Sequence, residues 1–317
     1  MKAEHAPSGS LYTEFSRASW ARLRGATPLT VSEADLARLR SADEHVSLEE
    51  VSDVYLPLSR LLDLYVAATS QLSRVTDTFL GSPAGRVPYV IAIAGSVAGG
   101  KSTTARILRA LIAEWPNRPR VELVTTDGFL HPNRVLEERG ILGRKGFPES
   151  YDVRRLIRFL ADLKSGVHEV RAPVYSHHHY DVLTGDGLVL QRPDIVIIEG
   201  LNVLQTAPAT GERSPRVFVS DFIDFSIYID ASEDELERWY VSRFMRLRET
   251  AFRDPESYFK NYAKLTEEAA AATASDIWRK INLVNLRENI GPTRERARLI
   301  LEKGTDHRVE RIFLRKL

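Results

Sequence analysis

The stretch "IAIAGSVAGGKSTTAR" at residues 91–106 is an apolar run that stops at Gly95 and restarts, after a glycine pair, as Lys101-Ser102-Thr103-Thr104. Gly95, Ser96, Val97, Ala98, Gly99, Gly100, Lys101 and Ser102 fit the pattern G-x-x-x-x-G-K-[ST], with a strand-like run before it and an amphipathic stretch after it. Glycines let the backbone turn tightly, so that its N–H groups face inward around phosphate oxygens. The helix that follows sets its positive end on the same anion. Lys101 would neutralise the β- and γ-phosphates, and Ser102 would offer a hydroxyl to Mg²⁺. The loop points to a nucleoside triphosphate, but not to the group that receives a phosphate.

A chain with this loop needs a parallel sheet around it, and the pattern supplies one. "YVIAIA" (89–94), "VELVTT" (121–126), "DIVIIE" (194–199) and "DFSIYI" (224–229) are short apolar runs, as expected of strands buried on both faces. Amphipathic stretches at 102–114, 152–164 and 233–248 separate them. The fold class is therefore α/β, a mostly parallel sheet with helices on both faces. Residues 1–85 read as a helical N-terminal extension of one domain spanning 1–317. In that extension Ser47 and Glu50 form a capping box, and Pro57 is expected to kink or break the helix that follows. "GSPAGRVP" (81–88) is loop by composition, Gly291-Pro292 marks a helix stop, and the last two apolar segments add closing strands.

Composition narrows the function. The 44 basic and 43 acidic residues nearly cancel, leaving no positive excess for sequence-independent binding of nucleic acid or an anionic membrane. There is no cysteine, which excludes disulfides, thiol catalysis and cysteine-bound metals. Without a signal-peptide core or a long apolar run, a cytoplasmic location is expected.

Sites in parallel sheets collect where strands end at their carboxyl edge. Asp127 follows one such strand and Glu199 closes another. Asp127 suits a base that orients a substrate hydroxyl and takes its proton, and Glu199 suits Mg²⁺; both positions also read as turn or cap residues. No guanine-reading N-K-x-D element and no L-S-G-G-Q-like signature is present. What remains is a small-molecule kinase, or a regulator that binds ATP without turning it over.

The stretches "TTDGFLHPNRVLEERGILGRKGFPESYD" (126–152), "PVYSHHHYD" (173–181), "EGLNVLQ" (199–205), "VSDFIDFSIYIDA" (219–231) and "PTRERA" (292–297) closely resemble bacterial type I pantothenate kinases. The similarity runs through nearly the whole chain. It implies a P-loop kinase fold and transfer of the γ-phosphate of ATP to the primary hydroxyl of pantothenate, the first step of coenzyme A synthesis. The implied roles give Lys101, with Ser102 and Thr103, to the phosphates, and Asp127 to the attacking hydroxyl. Tyr175, His177, Tyr240 and Asn282 would hold pantothenate, Arg243 the transferred phosphoryl group, and His307 the adenine. The resemblance also implies a homodimer inhibited by coenzyme A. The inhibitor's phosphates would fall on Lys101 and Arg106, and its arm near His177, Phe244, Tyr258 and Tyr262.

Other readings of these residues are plain: Tyr240 as core, Arg243 paired with Glu237, Asn282 as an exposed helix residue, the aromatics as packing. His177 and His179 share a side of an extended segment, which is compatible with a metal pair as well as with a surface loop. Two positions depart from the family pattern. Leu247 replaces an expected Phe, which points to weaker coenzyme A inhibition, and Asp43 replaces an Asn at the adenine site. A uridine kinase-like or phosphoribulokinase-like enzyme, or a non-catalytic ATP- or coenzyme A-binding regulator, is the alternative.

Overall fold

The computed structural model describes residues 10–40, 46–81, 87–185, 187–205 and 217–317. Its centre is a seven-stranded sheet of β1 (Tyr12–Ser16), β2 (Tyr89–Gly95), β3 (Val121–Thr125), β4 (Ile195–Glu199), β5 (Phe225–Asp230), β6 (Leu299–Lys303) and β7 (Val309–Arg315). The order across it is β1-β7-β6-β5-β2-β4-β3. Strands β6, β5, β2, β4 and β3 are parallel; β7 runs antiparallel to both β6 and β1.

The longer helices are α1 (Leu56–Leu80), α2 (Lys101–Ala113), α3 (Val153–Lys164), α4 (Glu233–Glu249) and α5 (Glu267–Ile277). The alternation of side chains along β2 shows how they cover the sheet. Ile91 and Ile93 enter a core with Leu58 and Leu62 of α1 and Ile107 and Leu111 of α2. Val90, Ala92 and Ala94 enter the opposite core with Leu156 and Leu160 of α3, Trp239 of α4, and Trp278. Both faces are dry, so the strand reads as one continuous apolar run. Burying each large aliphatic side chain contributes about 1.5–3 kcal/mol.

The N-terminal region is helical at 17–24, 33–39 and 48–80, with an exception at its start: residues 12–16 form an edge strand on β7. Its alternation is too short to announce a strand, and only the distant partner decides it. Pro57 does not break the helix, which runs without a gap through Leu48–Glu50, Val51–Tyr55 and Leu56–Leu80. The distortion expected of it takes the form of the π-helical turn at Val51–Tyr55 directly before it, where the Leu56 N–H bonds the Val51 carbonyl and the ladder that the proline cannot join is already widened. Gly291-Pro292 ends the α- and π-helical run at Ile290, as expected, but not the helical turns. Gly291 keeps a right-handed conformation, the chain continues as a tight 3₁₀ segment (Gly291–Arg296), and it becomes extended only at Ala297. Of the loop read at 81–88, Gly81 takes the left-handed conformation that ends α1, and 82–86 lie outside the described residues.

Candidate active site

The sheet register sets the site. Thr125 and Ile93 both pair with Glu199, so β4 lies between the strand that feeds the phosphate loop and the strand that feeds Asp127. Loop, Glu199 and Asp127 therefore share one carboxyl edge.

Gly95 has φ of 140°, and a Cβ there would stand 2.5 Å from the Ile229 carbonyl oxygen, so only glycine fits where β2 turns beside β5. Gly100 has φ of 92° and opens α2. Lys101 bends back over the loop and its Nζ donates to the Ser96 carbonyl at 2.8 Å. Ser96 Oγ is buried without a hydrogen-bond partner among the described residues. A phosphate oxygen would satisfy that orphan, so the loop suits the anion its sequence implies.

Ser102 Oγ donates to Glu199 Oε1 at 2.7 Å. Burial raises the Glu199 carboxyl above the ordinary carboxylate range, and Asp127 adds to this, while Lys101, the Ser102 hydroxyl and Arg106 pull it down. A hydroxyl and a desolvated carboxylate beside a phosphate loop form an oxygen donor set suited to Mg²⁺, which takes one or two protein oxygens with phosphates and water.

Asp127 sits in a 3₁₀ turn (Thr126–Phe129) directly after β3, half-buried. The next residue, Gly128, lies so close to segment 173–174 that a Cβ would come within 2.1 Å of the Pro173 carbonyl oxygen. That close approach brings the small ribbon Tyr175–Ser176/Asp181–Val182, with His177, alongside Asp127. The rings of Tyr175 and His177 meet edge to face at 5.1 Å. Desolvation lowers the pKa of His177, Asp127 pulls it up, and Arg243 and Lys145 push it down. Its surroundings thus bring a carboxylate, a guanidinium and an ammonium to one imidazole.

Tyr240 and Arg243 share a face of α4, as their spacing predicts, and Asn282 lies at the Tyr240 hydroxyl from the π-helical turn Trp278–Asn282. Glu237 pairs instead with Arg279 at 3.0 Å. His307, with φ of 64°, lies in the β6–β7 turn and stacks on Trp239 with centroids 3.7 Å apart. Arg106 donates to Thr103 Oγ1 at 3.1 Å. Phe244 and Tyr262 belong to a small aromatic cluster with Phe252 and Phe259, against which Leu247 also packs, whereas Tyr258 is 49% exposed and stacks near Tyr180. His179 bonds Ser176 and His178 faces Asp254. Asp43 lies outside the described residues.

The Phosphoribulokinase / Uridine kinase family model matches residues 90–261. A protein named pantothenate kinase from Parvibaculum lavamentivorans is 59% identical over 309 residues, 97% of this chain and 94% of that one. Another so named, from Brevibacillus brevis, is 56% identical over 321 residues and the whole of both chains. The chain belongs to the pantothenate kinase family. Among solved structures, D-glycerate 3-kinase from Cryptococcus neoformans covers 80% of this chain and 97% of its own at a TM-score of 0.54. Its 14% identity speaks for the fold alone.

The site of this pantothenate kinase family member also contains a lysine that the sequence reading passed over. Lys145 is half-buried; its Nζ donates to Asn133 Oδ1 at 2.6 Å and to the Tyr180 carbonyl. It faces the Tyr180 ring at 3.8 Å and the Tyr175 ring at 5.0 Å. Burial pulls its pKa down to about 8, against the opposing pull of Asp181 and Asp127. A lysine in "GRKGF" looks like a solvated loop residue, and only the fold of the 173–182 ribbon over it shows otherwise.

Proposed function

We propose that this chain transfers the γ-phosphoryl group of ATP to the primary hydroxyl of pantothenate, with the residues around Asp127 carrying the reaction. The observation that bears most on it is the meeting of Asp127, Arg243, Lys145 and His177 beside the phosphate loop. The Asp127 carboxylate accepts the hydroxyl proton as the hydroxyl oxygen bonds to the γ-phosphorus. The bond from that phosphorus to the β–γ bridging oxygen breaks, and ADP leaves with the electron pair. Lys101 and Arg243 offset charge on the transferred group and the departing ADP. Because the transition state is loose, positioning and charge stabilisation matter more than base strength. Bound Mg²⁺ would neutralise phosphate charge, held by Ser102 and Glu199.

Pantothenate carries a carboxylate, an amide and two hydroxyls. Tyr175, His177, Tyr240 and Asn282 supply hydrogen-bonding groups around an aromatic wall, and His307 with Trp239 offers a flat surface for adenine. Coenzyme A would compete with ATP through Lys101 and Arg106, its arm reaching Phe244, Tyr258 and Tyr262; Leu247 leaves that wall apolar but less aromatic. A homodimer is supported by α1, whose outer side exposes Leu64, Leu72, Val75 and Phe79, the last at 87%. No helix among the described residues is long and apolar enough to cross a membrane, and ATP-consuming biosynthesis accords with a cytoplasmic place.

The test is ADP release from ATP and Mg²⁺ with pantothenate, uridine and ribulose 5-phosphate offered separately, followed by titration with coenzyme A. Turnover with pantothenate alone is expected. Turnover with another acceptor, or with none, would overturn the assignment.

A further inference from the structure

Tyr151 is a buried residue, 4% exposed, that the scheme above does not use. Its placement is fixed by backbone. The Asp152 N–H donates to the Phe129 carbonyl at 2.8 Å, and the His131 N–H to the Ser150 carbonyl at 2.8 Å, which forms an antiparallel bridge between Leu130 and Tyr151. These bonds tie segment 150–152 to the one that carries Asp127, so the Tyr151 ring is delivered to the carboxylate by rigid main chain. Its hydroxyl donates to Asp127 Oδ1 at 3.3 Å, a long bond of the kind common before a substrate is bound. Asp127 Oδ2 receives no hydrogen bond among the described residues.

We propose that Tyr151 is a positioning residue for Asp127: its O–H holds Oδ1 and so turns Oδ2 toward the attacking hydroxyl. The inference rests on Asp127 being the base of the proposed reaction. A carboxylate on a short side chain can rotate about its last bond, and a fixed donor on one oxygen removes that freedom without blocking the other. The phenol is suited to the task because it stays protonated. Burial and the Asp127 charge both push its pKa up, so it acts as a donor across the working pH range.

The experiment is steady-state kinetics of Tyr151→Phe, Asp127→Ala and the double variant, with thermal unfolding of each. The expected result for Tyr151→Phe is a kcat lowered about ten- to a hundredfold, with KM for ATP and for pantothenate within about twofold of the parent. The double variant should turn over no more slowly than Asp127→Ala, because Tyr151 acts through Asp127. Replacing Tyr151 by 4-aminophenylalanine, which keeps a donor in place, should restore most of the rate. Should Tyr151→Phe not fold, 4-methylphenylalanine, which fills the hydroxyl's space without a donor, takes its place. A parental kcat without the donor, or losses that multiply in the double variant, would overturn the proposal. A parental kcat in Asp127→Ala would instead remove the reading on which it rests.

Discussion

The Ser102 hydroxyl donates to Glu199 Oε1 across 2.7 Å, joining the first turn of α2 to the end of β4. The bond ties the phosphate loop to the strand beside Asp127. It also holds together two oxygens that can serve one cation.

Glu199→Gln keeps the shape of that link and removes the charge. The Mg²⁺ concentration for half-maximal rate is expected to rise about ten- to a hundredfold. Thermal stability should hold or improve, since a buried carboxylate has been replaced by a neutral amide. Magnesium titration beside a melting curve checks both, and an unchanged Mg²⁺ requirement would separate Glu199 from the metal.

Asp127→Ala and Lys101→Ala should fail differently. Loss of the proposed base is expected to lower kcat by about 10²–10⁴ while ATP still binds with near-parental affinity. Lys101 is proposed to meet the phosphates in both ground and transition states, so with its loss ATP binding and turnover should fall together. Calorimetric ATP titration together with initial rates distinguishes the two patterns.

Lys145 makes a prediction in pH. Its pKa is about 8 in the fold against 10.5 for an ordinary lysine, so between these values the unfolded chain holds more protons. Stability of the parent relative to Lys145→Met must then rise as pH climbs from about 8 toward 10. Below pH 8 the desolvated ammonium is a standing cost, and Lys145→Met should melt at least as high as the parent. Melting temperatures of both proteins at pH 7 and 10 give the answer; a difference that does not move with pH would place Lys145 in water.

The outer side of α1 predicts an assembly. Leu72→Glu with Phe79→Glu puts two charges on side chains that are 66% and 87% exposed in the single chain, so the monomer should keep its melting temperature. Sedimentation should show the parent as a dimer and the double variant as a monomer. A monomeric parent would end that proposal.

The α/β class and the five parallel strands were legible, four as uninterrupted apolar runs buried on both faces, such as Tyr89–Ala94, and Leu299–Lys303 as one of the two closing segments. The loop was legible because its chemistry is local: each of its residues serves the same turn. Tyr12–Ser16 was not, since nothing in those five residues specifies β7 as their partner. Pro57 was legible in part: a proline inside a helix must disturb its ladder, but nothing local says whether the helix breaks or absorbs the disturbance in a π-turn, as it does at Val51–Tyr55. In the site, Asp127 and Glu199 were marked by strand ends. Lys145 and Tyr151 carry no local mark; each gains its place from a segment that crosses it later in the chain or from a bridge to it. Tyr175, His177 and Arg243 were named from resemblance, and no periodicity would have assembled them.

The outermost strand pair has a consequence for how the molecule is made. Tyr12 stands opposite Arg315, and the phenol of Tyr12 donates to the carbonyl of Ala297 at 2.8 Å. During synthesis, then, the earliest of the described strands is the last to find its neighbour, and must wait until Val309–Arg315 has been made. The parallel strands can associate in the meantime, with the β5–β6 edge open until β7 arrives. Until then the nascent protein carries an unsatisfied border, and its final seam closes between residues about 300 positions apart.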